Sequence, residues 1–333
     1  MVLKKVFLFI FSLFITFMLI NSIGYKIENT ETQLYRKITG KQKQHIEFDT
    51  AGVPYVVYEG ILGKQYNIVT VAEYLIDLSK KNDATNKIQF FNCINWLIHK
   101  GAFLNDSSII FLNQYNWPGY KMSPPWRSAM NQGRAMQAFI KAYEKTGDTS
   151  YLVYSKKSMN TLYTPVKNGG VTYVDSTGYW YEEYSDDNVP QSRVLNGMIV
   201  VLQALSDFHK TTNDPNALYL FNKGVEALKS SIQLYDNNGH SNYDILGKPS
   251  NTWYHKFHIE LLDFLFKRTH DPVFDEYKQK WMQYKDPIYL AALIQNPTRI
   301  GVFAVFTLFV GVLLIVFIPG YFIWFRKSKV ETV

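Results

Sequence analysis

Cysteine is almost missing from this chain. Cys93 is the only one, so no disulfide can form within the chain, and any part exposed to an oxidising exterior must be stabilised by its core. Cys93 lies in FFNCINWLIHKG, an apolar helical pattern, and reads as a small core residue rather than a nucleophile. A basic surplus of the kind that binds nucleic acid is missing too. Removing Lys4, Lys5, Arg326, Lys327 and Lys329, five positive charges, and Glu331, one negative, takes the formal net charge from +7 to +3, which is no nucleic-acid signature. Metal-ligand spacing is also lacking: His255 and His258 lie one helical turn apart with no third ligand nearby in sequence, so neither a metal nor another cofactor is expected.

Charge is absent altogether from two long runs. Val6 to Tyr25 (VFLFIFSLFITFMLINSIGY) is uncharged for 20 residues and follows Lys4 and Lys5; about 20 helical residues cross a hydrocarbon core. It is either a signal anchor or a signal peptide cleaved near Ser22-Ile23-Gly24, although the A-x-A pattern is absent. Ile300 to Phe325 is uncharged for 26 residues and carries Tyr321 and Trp324 before Arg326, Lys327 and Lys329. Core helices rarely stay apolar all round, so the expectation is two flanking transmembrane helices with both basic ends cytoplasmic and the middle exported. After signal cleavage only the second would remain. The expected organisation is 1-25 signal anchor or peptide, 26-120 linker plus a β-rich and first helical part, 121-290 catalytic region, 300-325 span and 326-333 basic tail. One glycosylation sequon occurs, at Asn105-Asp106-Ser107.

What the middle does have is repeated punctuation. SKKND, EKTGD, KTTND and KRTHD end at Asp83, Asp148, Asp214 and Asp271, spaced 65, 66 and 57 residues apart. Each aspartate suits a helix N-cap, and Pro215 and Pro272 then occupy the favoured first helical position. Met136, Phe139, Ile140 and Tyr143 recur at helical spacing, as do Met198, Val201, Leu202 and Leu205 within Ser192 to Lys210. Leu218, Phe221, Val225 and Leu228 mark a further helix, and Leu261, Leu262 and Leu265 another. The fold expected is mainly α, an (α/α) toroid or incomplete barrel of helical hairpins. Short strands around Pro54 and Gly60 and a β-hairpin in VTYVDSTGYWYEEYS are inserted into it.

That hairpin contains adjacent carboxylates between tyrosines, WYEEY. On a straight strand Tyr181 and Glu183 share one face while Trp180, Glu182 and Tyr184 share the other, so only one glutamate would enter a cavity. The residues alone leave two readings open, an acid/base site and a solvated edge. Further tyrosines stand in polar settings: Tyr235 and Tyr243 in LYDNNGHSNYDILGK, and Tyr254 with His255 and His258 at the start of a helix in TWYHKFHIELLDFL.

WYEEY followed by VLNG, the earlier PPWRSAMNQGRA (Pro124 to Ala135), the LYD and NYD pair and YHKFH resemble the carboxy-terminal catalytic region of D-glucuronyl C5-epimerases. YNIVTVAEYLIDLSKK and FFNCINWLIHKG are similar to the helices before it, so the resemblance covers roughly Tyr55 to Asp286. It implies a helical toroid with an attached β region, converting D-glucuronate to L-iduronate within heparan-type chains. It also implies catalytic roles for Glu183, Tyr184, Tyr243 and Tyr254. Glu182, Tyr181, Arg193, Asn196, His255, His258, Trp126 and Gln132 are the residues expected to bind substrate. Two departures stand out: Ile245-Leu246-Gly247 replaces the Leu-Arg-His that usually follows the NYD tyrosine, losing an arginine, and Ser185 replaces a proline after WYEEY.

Removing the C5 proton of a uronate builds a second negative charge beside an existing carboxylate. Such a site needs a base on one face of the ring, an acid on the other and donors on the carboxylate. The assignment expected is Glu183 as one base, Tyr254 as its partner on the opposite face, and Tyr184 and Tyr243 as donors or relays. A straight strand sets Glu183 and Tyr184 on opposite faces, so a bulge or a strand end near Ser185 is required. The partners expected are a uronate-containing polysaccharide or glycan and the lipid membrane; a homodimer is left open. Two rival functions share the pattern: a uronate polysaccharide lyase, whose β-elimination starts with the same proton abstraction, and a non-catalytic glycan-binding or assembly protein.

Overall fold

The structure is a computed structural model describing residues 2–39, 44–58, 60–285, 288–295, 297–319 and 322. The chain forms two compact units, one of residues 1–42 with 285–333 and one of residues 43–284.

The chain opens with helix α1 (Val2–Thr39). Within it Val6–Thr30 is long and apolar enough to cross a membrane by length and composition. The larger unit then begins with a three-stranded antiparallel sheet, β1 (Gln44–Phe48), β2 (Pro54–Tyr58) and β3 (Gly63–Gln65), where short strands were expected. Four helical hairpins follow, α2 (Ile68–Ser79) with α3 (Ala84–Lys100), α4 (Ala129–Thr146) with α5 (Ser150–Asn160), α6 (Leu195–Thr212) with α7 (Pro215–Ser231), and α8 (Thr252–Thr269) with α9 (Pro272–Met282). The aspartate punctuation accounts for their turns. Asp83, Asp214 and Asp271 cap α3, α7 and α9, accepting from the backbone N–H of Asn86, Asn216 and Val273. Pro215 and Pro272 occupy the first turn. At the fourth turn the cap is Thr149, and Asp148 instead accepts from Ser150 N at 2.8 Å.

The members of these hairpins take two roles. α2, α4, α6 and α8 pack in succession, and α3, α5, α7 and α9 each back the helix they follow. α6 is buried almost all round, with Met198, Val201, Leu202 and Leu205 inaccessible, as befits a central helix. It approaches α4 closely where Gly133 leaves room: a Cβ there would lie 3.2 Å from Val201 Cα. The succession ends at α8, and α8 and α2 both line a cleft.

Each connection from one hairpin to the next carries a small sheet. β4 (Gly101–Asn105), β5 (Ser108–Asn113) and β6 (Trp126–Arg127) join the first hairpin to the second. The β7 (Thr172–Asp175) and β8 (Gly178–Tyr181) ribbon joins the second to the third, and β9 (Asp236–Asn237) with β10 (His240–Ser241) the third to the fourth. These connections feed the N-terminal ends of α4, α6 and α8, which is where the cleft opens.

In the smaller unit α10 (Tyr289–Gln295) and α11 (Arg299–Val312) pack on α1. Glu28 accepts from Tyr289 Oη at 2.9 Å and from the Thr298 hydroxyl, and Asn21 Oδ1 accepts from Leu290 N at 3.1 Å. The second apolar run is helical as well, with Arg299–Ile315 a shorter apolar helix, and among the described residues one helix, within α1, reaches the length of a span. Tyr321, Trp324 and the basic tail with Arg326, Lys327 and Lys329 lie outside the described residues.

Candidate active site

The cleft holds a volume of about 310 Å³ and is lined from every inner helix: Asn67, Val69, Thr70 and Glu73 of α2 and its cap, Met130 and Arg134 of α4, Asn196 of α6, and Trp253, Tyr254 and Phe257 of α8. Gln44, Val56, Tyr58, Trp117, Glu183 and Tyr184 complete the wall. Four helix N-termini converge on one space, and their partial positive charge favours an anionic guest.

Glu183 reaches the cleft because the strand stops early. β8 ends at Tyr181, one turn of chain sooner than the expected break near Ser185. Beyond it the backbone of Glu182 donates to Val171 O and accepts from Ala129 N, each at 2.8 Å. Freed from strand alternation, Glu183 and Tyr184 both line the cleft. Glu182 turns inward. Its carboxylate is fully buried and accepts from Ser192 Oγ at 2.8 Å and Arg193 N at 2.9 Å, fixing the loop that leads into α6.

Glu183 is buried, and its Oε2 has no hydrogen-bond partner. It rests on α6 at Gly197, where a Cβ would lie 2.3 Å from Oε2. Desolvation pushes its carboxyl up to about 8; a hydrogen bond from Tyr184 opposes the shift and the charge of Glu182 adds to it. A buried acceptor left open on a cleft calls for a ligand donor. Asn196 Oδ1 is likewise buried and unpartnered on the same wall.

Three tyrosines extend from Glu183. Tyr184 is stacked on Tyr120 with centroids 4.3 Å apart and backed by Trp126 at 5.6 Å. Tyr120 is itself fixed, donating to Asp244 Oδ2 at 2.6 Å. Tyr243 meets Tyr254 edge to face at 4.8 Å. Tyr184 also acts electrostatically on Tyr243 and Tyr243 on Tyr254, so the three phenols lie within reach of one another and of Glu183. Burial, followed by the charge of Glu183, raises all three phenols above their ordinary value, and they stay protonated at neutral pH. Glu183, Tyr184, Tyr243 and Tyr254, 71 positions apart in sequence from first to last, thus form one group.

The expected binding residues divide. Asn196 lines the cleft and Trp126 supports Tyr184 from behind, its Nε1 donating to Tyr115 O at 2.8 Å. Tyr181 is fully buried and donates to Leu220 O at 2.7 Å. Gln132 faces α5, where its Oε1 is 3.4 Å from Ser158 Oγ. Arg193 pairs with Asp175 at 3.0 Å and lies over the Trp180 ring. His255 and His258 gather round Ser241, at 3.0 and 2.8 Å from its Oγ, and burial holds the His258 imidazolium down to about 3. These five are packed into the fold and are not among the residues lining the cleft. Among the described residues no three His, Cys, Asp or Glu side chains converge as metal ligands.

The structure adds residues that the sequence reading did not single out. Arg134 and Glu73, both lining the cleft, form an ion pair at 3.2 Å, and Trp253 presents a largely exposed indole beside Tyr254. Helical spacing carried the signal: Met130 and Arg134 are i, i+4, as are Trp253 and Phe257, whereas Gln132 falls on the opposite face.

Relatives of known sequence match about half of this chain. An uncharacterised protein of Methanocaldococcus jannaschii is 33% identical over 183 residues, covering 54% of this chain and 59% of that protein. The D-glucuronyl C5-epimerase of Caenorhabditis elegans is 30% identical over 182 residues, covering 49% of this chain and 29% of the enzyme. The chain therefore spans less than two thirds of the length of either of these relatives. Among solved structures, a reducing end xylose-releasing exo-oligoxylanase aligns with a TM-score of 0.50 at 10% identity, over 79% of this chain and 72% of that one, a likeness of fold alone. Residues 105–283 match the family described as D-glucuronyl C5-epimerase C-terminus, more than half of the chain and all four residues of the glutamate and tyrosine group, and the chain belongs to that family.

Proposed function

We propose that this protein is a membrane-anchored hexuronate C5-epimerase, converting D-glucuronate to L-iduronate residues in an exported polysaccharide or glycan. The observation that carries the reading is Glu183: a buried carboxyl raised to about 8, with an unpartnered oxygen in a cleft and a line of protonated tyrosines leading away from it. A base whose acidity lies near neutrality suits abstraction of a weakly acidic proton.

In this reading the Glu183 carboxylate takes the C5 proton, and the C–H electron pair moves into the adjoining carboxylate to give an enediolate. Helix N-termini around the cleft meet the growing charge. Tyr254 then delivers a proton to C5 from the other face of the ring, which inverts the centre and leaves Tyr254 as a phenolate. Tyr243 and Tyr184 return the proton held by Glu183 to Tyr254, so the site resets with no net proton change. Protonated phenols are a requirement of this scheme, and burial supplies it by weakening their acidity.

The anchoring is supported by the apolar helix Val6–Thr30. The basic residues flanking both apolar runs in the sequence support two spans with the cleft-bearing unit on the exterior side. The test is incubation of the full chain, in detergent, with an alternating glucuronate and N-acetylglucosamine polymer, followed by proton NMR. New iduronate signals in an intact chain support the reading. Ultraviolet-absorbing unsaturated ends would show β-elimination instead, and binding with neither product would show a non-catalytic glycan receptor.

A further inference from the structure

The cleft carries a second charged centre that the proton chemistry does not use. Arg134 of α4 and Glu73 of α2 both line it, paired at 3.2 Å. The arginine is mostly buried, while half of the Glu73 side chain faces solvent. Arg134 donates through Nη1 to Gln137 Oε1 at 2.9 Å, but its Nε–H makes no hydrogen bond even to the nearby Glu73. A guanidinium has five donors, so this one retains capacity for an acceptor entering from the cleft.

Arg134 and Glu73 stand on α4 and α2, whereas Glu183 rests on α6 at Gly197. The charge acting on Glu183 is that of Glu182, and the charges acting on Arg134 are those of Glu73 and Asp207. A guanidinium beside the reacting ring would pull the neighbouring base down, yet Glu183 is displaced upward. Glu73 and Arg134 line the same cleft as Trp253, Tyr254 and Phe257 of α8, and the charge of Glu73 is felt at Tyr254. There Trp253 offers a flat apolar face, and Phe257 packs against that indole at 5.1 Å. An apolar platform with a cation beside it is the chemistry that holds an acidic sugar.

We propose that Arg134 is a specificity residue that binds an acidic group, carboxylate or sulfate, on a sugar flanking the reacting uronate, with Glu73 holding the guanidinium in place and Trp253 supporting the sugar ring. The assignment rests on the cleft's being a uronate site. It also separates two jobs: Glu183 and the tyrosines act on the reacting ring, and Arg134 reads the polymer beside it. Lys248 is a weaker candidate for that job, since it is exposed and lies over the rings of Tyr120 and Tyr243 outside the cleft lining.

The experiment uses the full chain and three pentasaccharides, each with a central glucuronate. Their flanking acidic positions carry glucuronate, neutral glucose, or O-sulfated glucose. Wild-type protein is expected to favour the glucuronate-flanked or the sulfate-flanked probe over the neutral one by about tenfold or more in KM for C5 exchange, and whichever is preferred identifies the acid. Arg134→Gln should abolish that preference while leaving kcat within about twofold, the mark of binding that ground and transition states share. Arg134→Lys should restore part of it. The Glu73→Gln/Arg134→Gln double variant removes the stranded carboxylate and keeps the test independent of folding. The proposal is overturned if Arg134→Gln keeps the preference, if it lowers kcat on all three probes alike, or if wild type ranks the three probes equally. Equilibrium binding of the same probes to Glu183→Gln protein reads the preference without any turnover, so a failure of epimerisation and a failure of this assignment give different results.

Discussion

Glu183 Oε2 and Gly197 are so close that the glycine has no room for a side chain: a Cβ on Gly197 would lie 2.3 Å from that oxygen and 2.9 Å from Glu183 Cβ. The base is seated by the missing side chain of α6. Gly197→Ala should therefore push Glu183 out of position, and a displaced base loses rate steeply. The expected result is a fall of about 100-fold or more in kcat for C5 exchange, with the secondary structure of the full chain preserved by circular dichroism. Unchanged kcat would show that Glu183 is not held against Gly197 when it reacts.

The pH dependence follows from the direction of the Glu183 shift. As a base it must be ionised, and its carboxyl titrates near about 8. The kcat/KM for exchange should rise roughly tenfold per pH unit below 8 and level off above it. The phenols are raised above their ordinary value of 10.0, so no descending limb should appear below pH 10. A profile that is flat from pH 5 to 8 would contradict the assignment.

The same shift is a statement about stability. A carboxyl raised from 4.5 to about 8 is protonated in the folded and unfolded chains alike below about pH 4, so it then costs nothing. As pH rises between those two values the unfolded chain ionises first, and stability is lost; the full cost is in place above 8. That rise corresponds to on the order of 5 kcal/mol. Glu183→Gln cannot ionise, so its thermal midpoint should exceed that of wild type by several degrees at pH 8.5 and match it near pH 4. Equal differences at both pH values would mean that the carboxyl is not perturbed.

Tyr254→Phe and Tyr243→Phe remove hydroxyls without emptying the aromatic packing that joins the two rings at 4.8 Å. Loss of the proton donor should lower kcat about 100- to 10,000-fold for Tyr254→Phe. Loss of a relay member should slow turnover less for Tyr243→Phe, because water can replace a single hydroxyl. Pre-steady-state exchange separates the two: with Tyr243→Phe the first turnover should stay fast and later ones slow down.

The helical hairpins were legible because their turns are local events. Asp83, Asp214 and Asp271 cap the helices that follow them, and a cap is written within four residues. The joining of Glu183 to Tyr243 and Tyr254 was not legible from spacing, since it depends on how two separate hairpin connections and the start of α8 converge; only the family resemblance linked them. Side-chain direction was the weakest point. Straight-strand alternation failed because β8 ends at Tyr181, and Gln132 was expected at substrate although helical rotation turns it to Ser158 and brings Arg134 to the cleft instead. His255 and His258 do share a helix face, as their spacing requires, but that face packs on Ser241. Leu246, where the family resemblance leads one to expect an arginine, is exposed, while Arg134, far away in sequence, is a cation in the cleft lining.

The central claim is that Glu183 exchanges the C5 proton of a uronate, and one measurement addresses it directly. The full-length protein and its Glu183→Gln variant are incubated with the glucuronate polymer in heavy water, and deuterium at C5 is read by NMR. The account predicts deuterium in both glucuronate and iduronate residues of an intact polymer with wild type, and none with Glu183→Gln. Deuterium incorporation by the variant at the wild-type rate would contradict it.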